Sequence, residues 1–337
     1  MTILSILDLS PITEGGSPGQ SLRNSVDLAQ HGEVWGYHRY WVAEHHNMPG
    51  IASSATAVVV GLIASGTKTI RVGSGGIMLP NHAPLVIAEQ FGTLEALYPG
   101  RIDLGLGRAP GSDQRTAYAL RRTLQGNGDD FPRDVLELQH FFTTTDASEP
   151  VRAIPGMGQN VPIWILGSSL YGAQLAGMLG LPYAFASHFA PEALMPALEM
   201  YQREFKPSDQ LAEPYAMAGF NVFAADTEQQ AHLIRTSQRQ STLSMRRGHP
   251  RTLPPPAADF EAGLDPRERA MLDQQGACSG VGTVDMVREQ IQNFVDRTGV
   301  DELMISSQVY DHSARLRSFE LAMQAWSTPV DTRASAD

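Results

Sequence analysis

One cysteine, Cys278, occurs in 337 residues. A lone thiol excludes an intramolecular disulfide and any multi-cysteine metal cluster. It fits a reducing compartment, so a cytoplasmic location is expected. No apolar run approaches the roughly 20 residues that span a bilayer. The start, "MTILSILDLSP", lacks a basic region and a small-residue cleavage site, and is read as a first strand rather than a signal peptide. Positive charge is also scarce. Lysine occurs only at positions 68 and 206, and the formal net charge is -11. Such a field repels phosphate backbones, which argues against a nucleic-acid partner.

Short apolar runs alternate with longer stretches of helical spacing. The strand candidates cover residues 3–9, 39–44, 70–79, 101–107, 161–167, 182–187, 215–225 and 301–307. Each is continuously apolar, as expected for parallel strands buried on both faces. Eight strand–helix units over this length predict one (β/α)8 TIM barrel, with no linker dividing residues 1–337. Residues 241–280 break the rhythm with three consecutive prolines and mixed charges, and are expected to form a mobile lid or a disordered insertion between strands seven and eight.

In such a barrel the working residues stand at the carboxyl ends of the strands. Strand two delivers Glu44, His45, His46 and Asn47. Strand three delivers Ser74, Gly75 and Gly76. Strand four delivers Gly105, Gly107, Arg108 and then Asp113. Strand five delivers Gly167, Ser168 and Ser169, and strand six Ser187 and His188. The eighth delivers Ser306 and Ser307, followed by Tyr310, Asp311 and His312. Small residues admit a flat ligand close to the backbone. Arginine and hydroxyls near helix starts suit a phosphate. Against this, glycines at strand ends also serve simple turns. The paired histidines have no third ligand at metal-like spacing, so no metal is expected. "GLGRAPG" has the wrong spacing for a dinucleotide fingerprint, and "GSSLYG" is not a nucleophile elbow.

"YWVAEHH", "VGSGGIMLPNHAPLVIAEQFGTLEALYPGRIDLGLGRAPGSD", "PIWILGSSLYGAQLAGMLGLPYAFASHFAPEAL" and "DELMISSQVYDHSARLRSFELA" resemble the bacterial luciferase-like flavin monooxygenases along nearly the whole chain. The resemblance implies a TIM barrel and oxygenation of a small organic substrate by reduced FMN and O2 through a flavin C4a-peroxide. It implies FMNH2 from a separate flavin reductase and a homodimer packed through the helices after strands two and three. His45 matches the catalytic histidine, flanked by Glu44 and His46, with Glu44 expected to orient the His45 ring. Gly75-Gly76 matches a non-prolyl cis dipeptide beneath the flavin. Arg108 and Ser168 match phosphate ligands and Gly167 a backbone contact to the ring. Leu170, Tyr171 and Gly172 depart from a pattern that often has a hydroxyl there, which shifts the expected contact to Ser169. Relatives on this barrel that use deazaflavin F420 for hydride transfer, or that bind flavin without turnover, give the alternative readings.

Overall fold

The computed structural model describes residues 2–109, 114–120 and 130–327. Asp113, named above, lies outside them. Within them, β1 (Ile3–Asp8), β2 (Arg39–Val42), β3 (Arg71–Met78), β4 (Ile102–Gly107), β5 (Ile163–Gly167), β6 (Tyr183–Phe185), β7 (Ala216–Ala224) and β9 (Glu302–Ser306) pair in parallel and close into an eight-stranded barrel. The TIM barrel read from the sequence is the fold observed.

Alternation along each strand sorts side chains between two cores. In β2, Tyr40 and Val42 face the helices and join the large outer core, while Trp41 points inward with Leu7, Trp164, Met217 and Met304. Arg39 also points inward. Its guanidinium donates to Asp103 and Glu302, both at 2.7 Å, and lies over the rings of Trp41 and Trp164. Buried charge is tolerated because these partners satisfy it. This layer plugs the amino-terminal half of the barrel and makes its interior a floor rather than a pore.

The helices follow their local signals. In α1 (Pro18–Trp35) Ser17 caps the first turn, Pro18 occupies its start, and Gly36 ends it at φ 92°. α2 (Thr56–Gly66) packs outside β2 and β3, α3 (Pro84–Leu97) lies against β4, α4 (Gln114–Leu120) and α5 (Phe131–Thr143) follow β4, α6 (Leu170–Leu179) follows β5, and α7 (Leu194–Glu204) follows β6.

Between β7 and α10 (Val284–Thr298) the chain departs from a simple repeat. α8 (Glu228–Arg246) leads through a Pro-rich loop to α9 (Pro266–Gln275), and a short strand β8 (Ser279–Gly282) pairs with the carboxyl end of β7. Of the two expectations for residues 241–280, a lid or a disordered insertion, the second is corrected: they carry the end of α8, the whole of α9 and the start of β8. Asp265 and Glu268 form a capping box at the start of α9, with Pro266 at its first position. The Pro-rich loop is tied down at Leu253, whose N–H donates to the Ile12 carbonyl at 2.8 Å and whose carbonyl accepts from Glu14 N–H at 2.8 Å.

Candidate functional site

A cavity of about 630 Å3 opens at the carboxyl ends of the strands. Its floor is apolar, from Leu7, Trp41, Met217 and Met304. Its walls bring together His45, Gly75, Gly76, Arg108, Gly167, Ser168, Ser169 and His188. α8, the Pro-rich loop and α9 roof it with Ser241, Met245, Arg251, Leu253 and Leu272. The inserted segment thus stands over the mouth of the barrel.

At the end of β2 the strand alternation continues past the last ladder bond. Ala43 packs inward, His45 lines the cavity, and Glu44 and His46 face away from it. Glu44 accepts from Nε2 of His46 at 2.7 Å, from Nε2 of His82 at 2.9 Å, and from the Met78 N–H at 3.1 Å. Burial would raise the Glu44 pKa, but the bonds from His46, His82 and Met78 outweigh it and hold the carboxyl at about 2. Sequence reading set Glu44 to orient His45; in the structure the carboxylate fastens His46 and His82. The chain turns away through Asn47 at φ 55°, a conformation asparagine tolerates better than most residues.

His82 follows β3 and is the residue sequence reading passed over. It supplies the third ligand missing from the sequence spacing, since ligand atoms of Glu44, His46 and His82 all lie within 4.8 Å of one another. Two hydrogen bonds to one carboxylate oxygen account for this closeness without an ion.

Gly75 and Gly76 are joined by a cis peptide bond. A Cβ on Gly75 would lie 2.9 Å from Leu7 Cδ1, and one on Gly76 would lie 2.7 Å from the Gly105 carbonyl. The β4 backbone therefore demands glycine at position 76, and the Leu7 and Trp41 side chains inside the barrel crowd any larger residue at 75.

Arg108 leaves the end of β4 exposed and stacks over the Tyr171 ring at 4.1 Å. Tyr171, noted above as a departure in this loop, thus props the guanidinium. Ser168 and Ser169 precede α6, and the Ser169 hydroxyl makes no capping bond to the helix. The first amides of α6 and these hydroxyls remain available to an anion. An arginine fork, two hydroxyls and an uncapped helix start form a donor set suited to a phosphate dianion.

His188 follows β6 and is half-buried, with its Nδ1 buried and lacking a partner and the ring lining the cavity. Burial, reinforced by repulsion from His45, lowers its pKa to about 4, so it stands neutral. Other strand-end residues serve the scaffold. Ser74 bonds Gly105, Ser187 bonds the Gly219 carbonyl, Ser307 bonds Ser318, and Asp311 caps α11 (His312–Ser327) at Ala314 N–H. His312 bonds Asp27 and Tyr310 bonds the Glu14 carbonyl.

Comparison with known proteins agrees with this geometry. Residues 3–302 match the family described as luciferase-like monooxygenase. The chain is 54% identical over 319 residues to a protein of Escherichia coli (strain K12) named luciferase-like monooxygenase, covering 95% of each chain. It is 39% identical over 242 residues to the N-acetyl-S-alkylcysteine monooxygenase of Bacillus subtilis (strain 168), covering 69% of this chain and 72% of that one. The crystal structure of apo-MsnO8 superposes with a TM-score of 0.91 at 35% identity, covering 98% of this chain and 100% of that one. The chain belongs to the luciferase-like monooxygenase family and is a flavin-dependent oxidoreductase.

Proposed function

We propose that the protein is a monooxygenase that uses FMNH2, supplied by a separate flavin reductase, and O2 to oxygenate a small organic substrate. The observation that carries this reading is the donor set of Arg108, Ser168, Ser169 and the α6 amino terminus in one cavity with the side-chain-free wall at Gly75 and Gly76. Bound there, reduced flavin supplies two electrons, so that one atom of O2 enters the substrate and the other leaves as water.

The chain's own residues have distinct tasks. Arg108 holds the phosphate, Ser168 and Ser169 donate to it, and the Gly167 backbone meets the ring. His45 faces the cavity and moves a proton at the reacting centre, as general acid or base. Glu44 and His46 act as positioning residues by fixing the turn that presents His45. The segment from α8 to α9 works as a lid that keeps water from the reaction.

Two further proposals belong to this reading. The protein is a homodimer joined through α2 and α3, where Val58, Leu62, Val86 and Leu97 are exposed at 73, 44, 44 and 63%. Valine and leucine exposed together on adjacent helices suit a partner surface. It works in the cytoplasm, consistent with the single buried Cys278. Among the described residues no helix is long and apolar enough to cross a membrane.

Anaerobic titration with FMNH2, reduced riboflavin and reduced F420 tests the cofactor. FMNH2 binding tightest supports the reading. F420 binding more tightly than FMNH2 overturns it in favour of hydride transfer.

A further inference from the structure

The cavity face of α8 carries Arg235, Gln238 and Arg239, at the three- and four-residue spacing that aligns side chains on one side of a helix. The two arginines live differently. Arg239 is buried and donates from Nη1 to Asp273 at 2.8 Å and from Nη2 to Glu261 at 3.1 Å. The nearby acids are thereby committed. Arg235, one turn earlier, has no carboxylate at ion-pairing distance among the described residues. Burial, and then repulsion from Arg239, lower its pKa. It is a half-buried cation on a cavity wall that Glu261 and Asp273 attract only from a distance while they bond Arg239, an arrangement that an incoming anion stabilises.

Its surroundings point the same way. Gln238 donates to Asn221 Oδ1 at 3.2 Å, and Asn221 donates to the His188 carbonyl at 2.6 Å. This chain fixes the polar wall from α8 to the end of β6, next to the unpartnered His188 Nδ1. The phosphate donors lie elsewhere on the rim, at the ends of β4 and β5. Below both, the floor is apolar.

We propose that Arg235 is the anchor of a substrate carboxylate, and that the substrate is a small apolar carboxylic acid. The guanidinium receives the carboxylate as a two-pronged pair, the apolar body lies across the floor, and the end remote from the acid group reaches the flavin. This rests on the flavin reading only in that the test uses the FMN-loaded protein.

The experiment is a titration of FMN-loaded protein with three acids, N-acetyl-S-butylcysteine, octanoate and phenylacetate, each beside its primary amide, followed by calorimetry and flavin absorbance at fixed ionic strength. At least one acid is expected to bind about tenfold tighter than its amide, the effect of a hydrogen bond to a charged group. Arg235→Gln abolishes that preference, Arg235→Lys retains part of it, and FMN affinity stays within about twofold in both. Three results overturn the proposal: no acid binds more tightly than its amide, the preference survives in Arg235→Gln, or Arg235→Gln weakens FMN but not riboflavin, which makes Arg235 a phosphate ligand. Failure of the wild-type protein to bind FMN overturns the flavin reading, separately.

Discussion

A Cβ built on Gly219 of β7 would lie 2.1 Å from Nδ1 of His188. The imidazole sits where any other residue would put its side chain. The seat is also held by the backbone, since Ser187, next to His188, donates to the Gly219 carbonyl at 2.6 Å. Gly219→Ala is therefore expected to evict the ring. Overpacking of this kind costs about 1–3 kcal/mol. Urea unfolding at neutral pH measures it, and unchanged stability would mean that the seat has slack.

His188 also makes stability depend on pH. Its folded pKa is about 4 against an ordinary 6.5, so the unfolded chain takes up the proton first as pH falls. The contribution is complete above about pH 6.5 and is lost as pH drops to about 4, amounting to at most about 3 kcal/mol. His188→Asn should flatten the stability curve across that window. An identical slope in both proteins would show that the ring is hydrated.

Glu44 gives the same sign at lower pH. Its pKa is held at about 2 from an ordinary 4.5, so its stabilisation is full above about pH 4.5 and disappears as pH falls towards 2. Glu44→Gln should cost about 1.5–3 kcal/mol at pH 7, the worth of a hydrogen bond to a charged group. The gap between variant and parent should close towards pH 2. A gap that stays constant with pH would assign the loss to packing.

Arg108→Ala separates phosphate binding from ring binding. Loss of a fork to a dianion should weaken FMN about 10- to 150-fold while riboflavin affinity changes little. Fluorescence titration reads both ligands, and equal losses would remove Arg108 from the phosphate site.

The barrel was legible because its strands are continuously apolar and end at glycines, serines or histidines, as in "RIDLGLG" and "PIWILG". β8 escaped because "SGVG" is four residues with almost no side chain to signal a strand. The insertion was misread through its three prolines, although "DPRE" carries a capping box with proline at the first helical position. His82 escaped because it meets Glu44 across 38 residues, through pairing of β2 with β3. Arg235 lay in "RTSQRQSTLSMR", whose cavity-facing stripe has helical spacing, but only folding shows that Glu261 and Asp273 bond Arg239 and leave Arg235 without an ion pair among the described residues.

The central proposal is that His45, which lines the cavity, directs O2 into product. The direct measurement mixes FMNH2-loaded protein with isotopically labelled O2 and a panel of carboxylic thioethers, aliphatic aldehydes and cyclic ketones, and reads label in product by mass spectrometry beside hydrogen peroxide. The parent should place one labelled atom in at least one product and release less peroxide than the O2 consumed. His45→Ala should bind FMNH2 yet lose about 10²- to 10⁴-fold in product, the usual share of general acid–base catalysis, with the O2 recovered as peroxide. Peroxide equal to O2 consumed by the parent across the panel, or parental product yield from His45→Ala, would contradict the account.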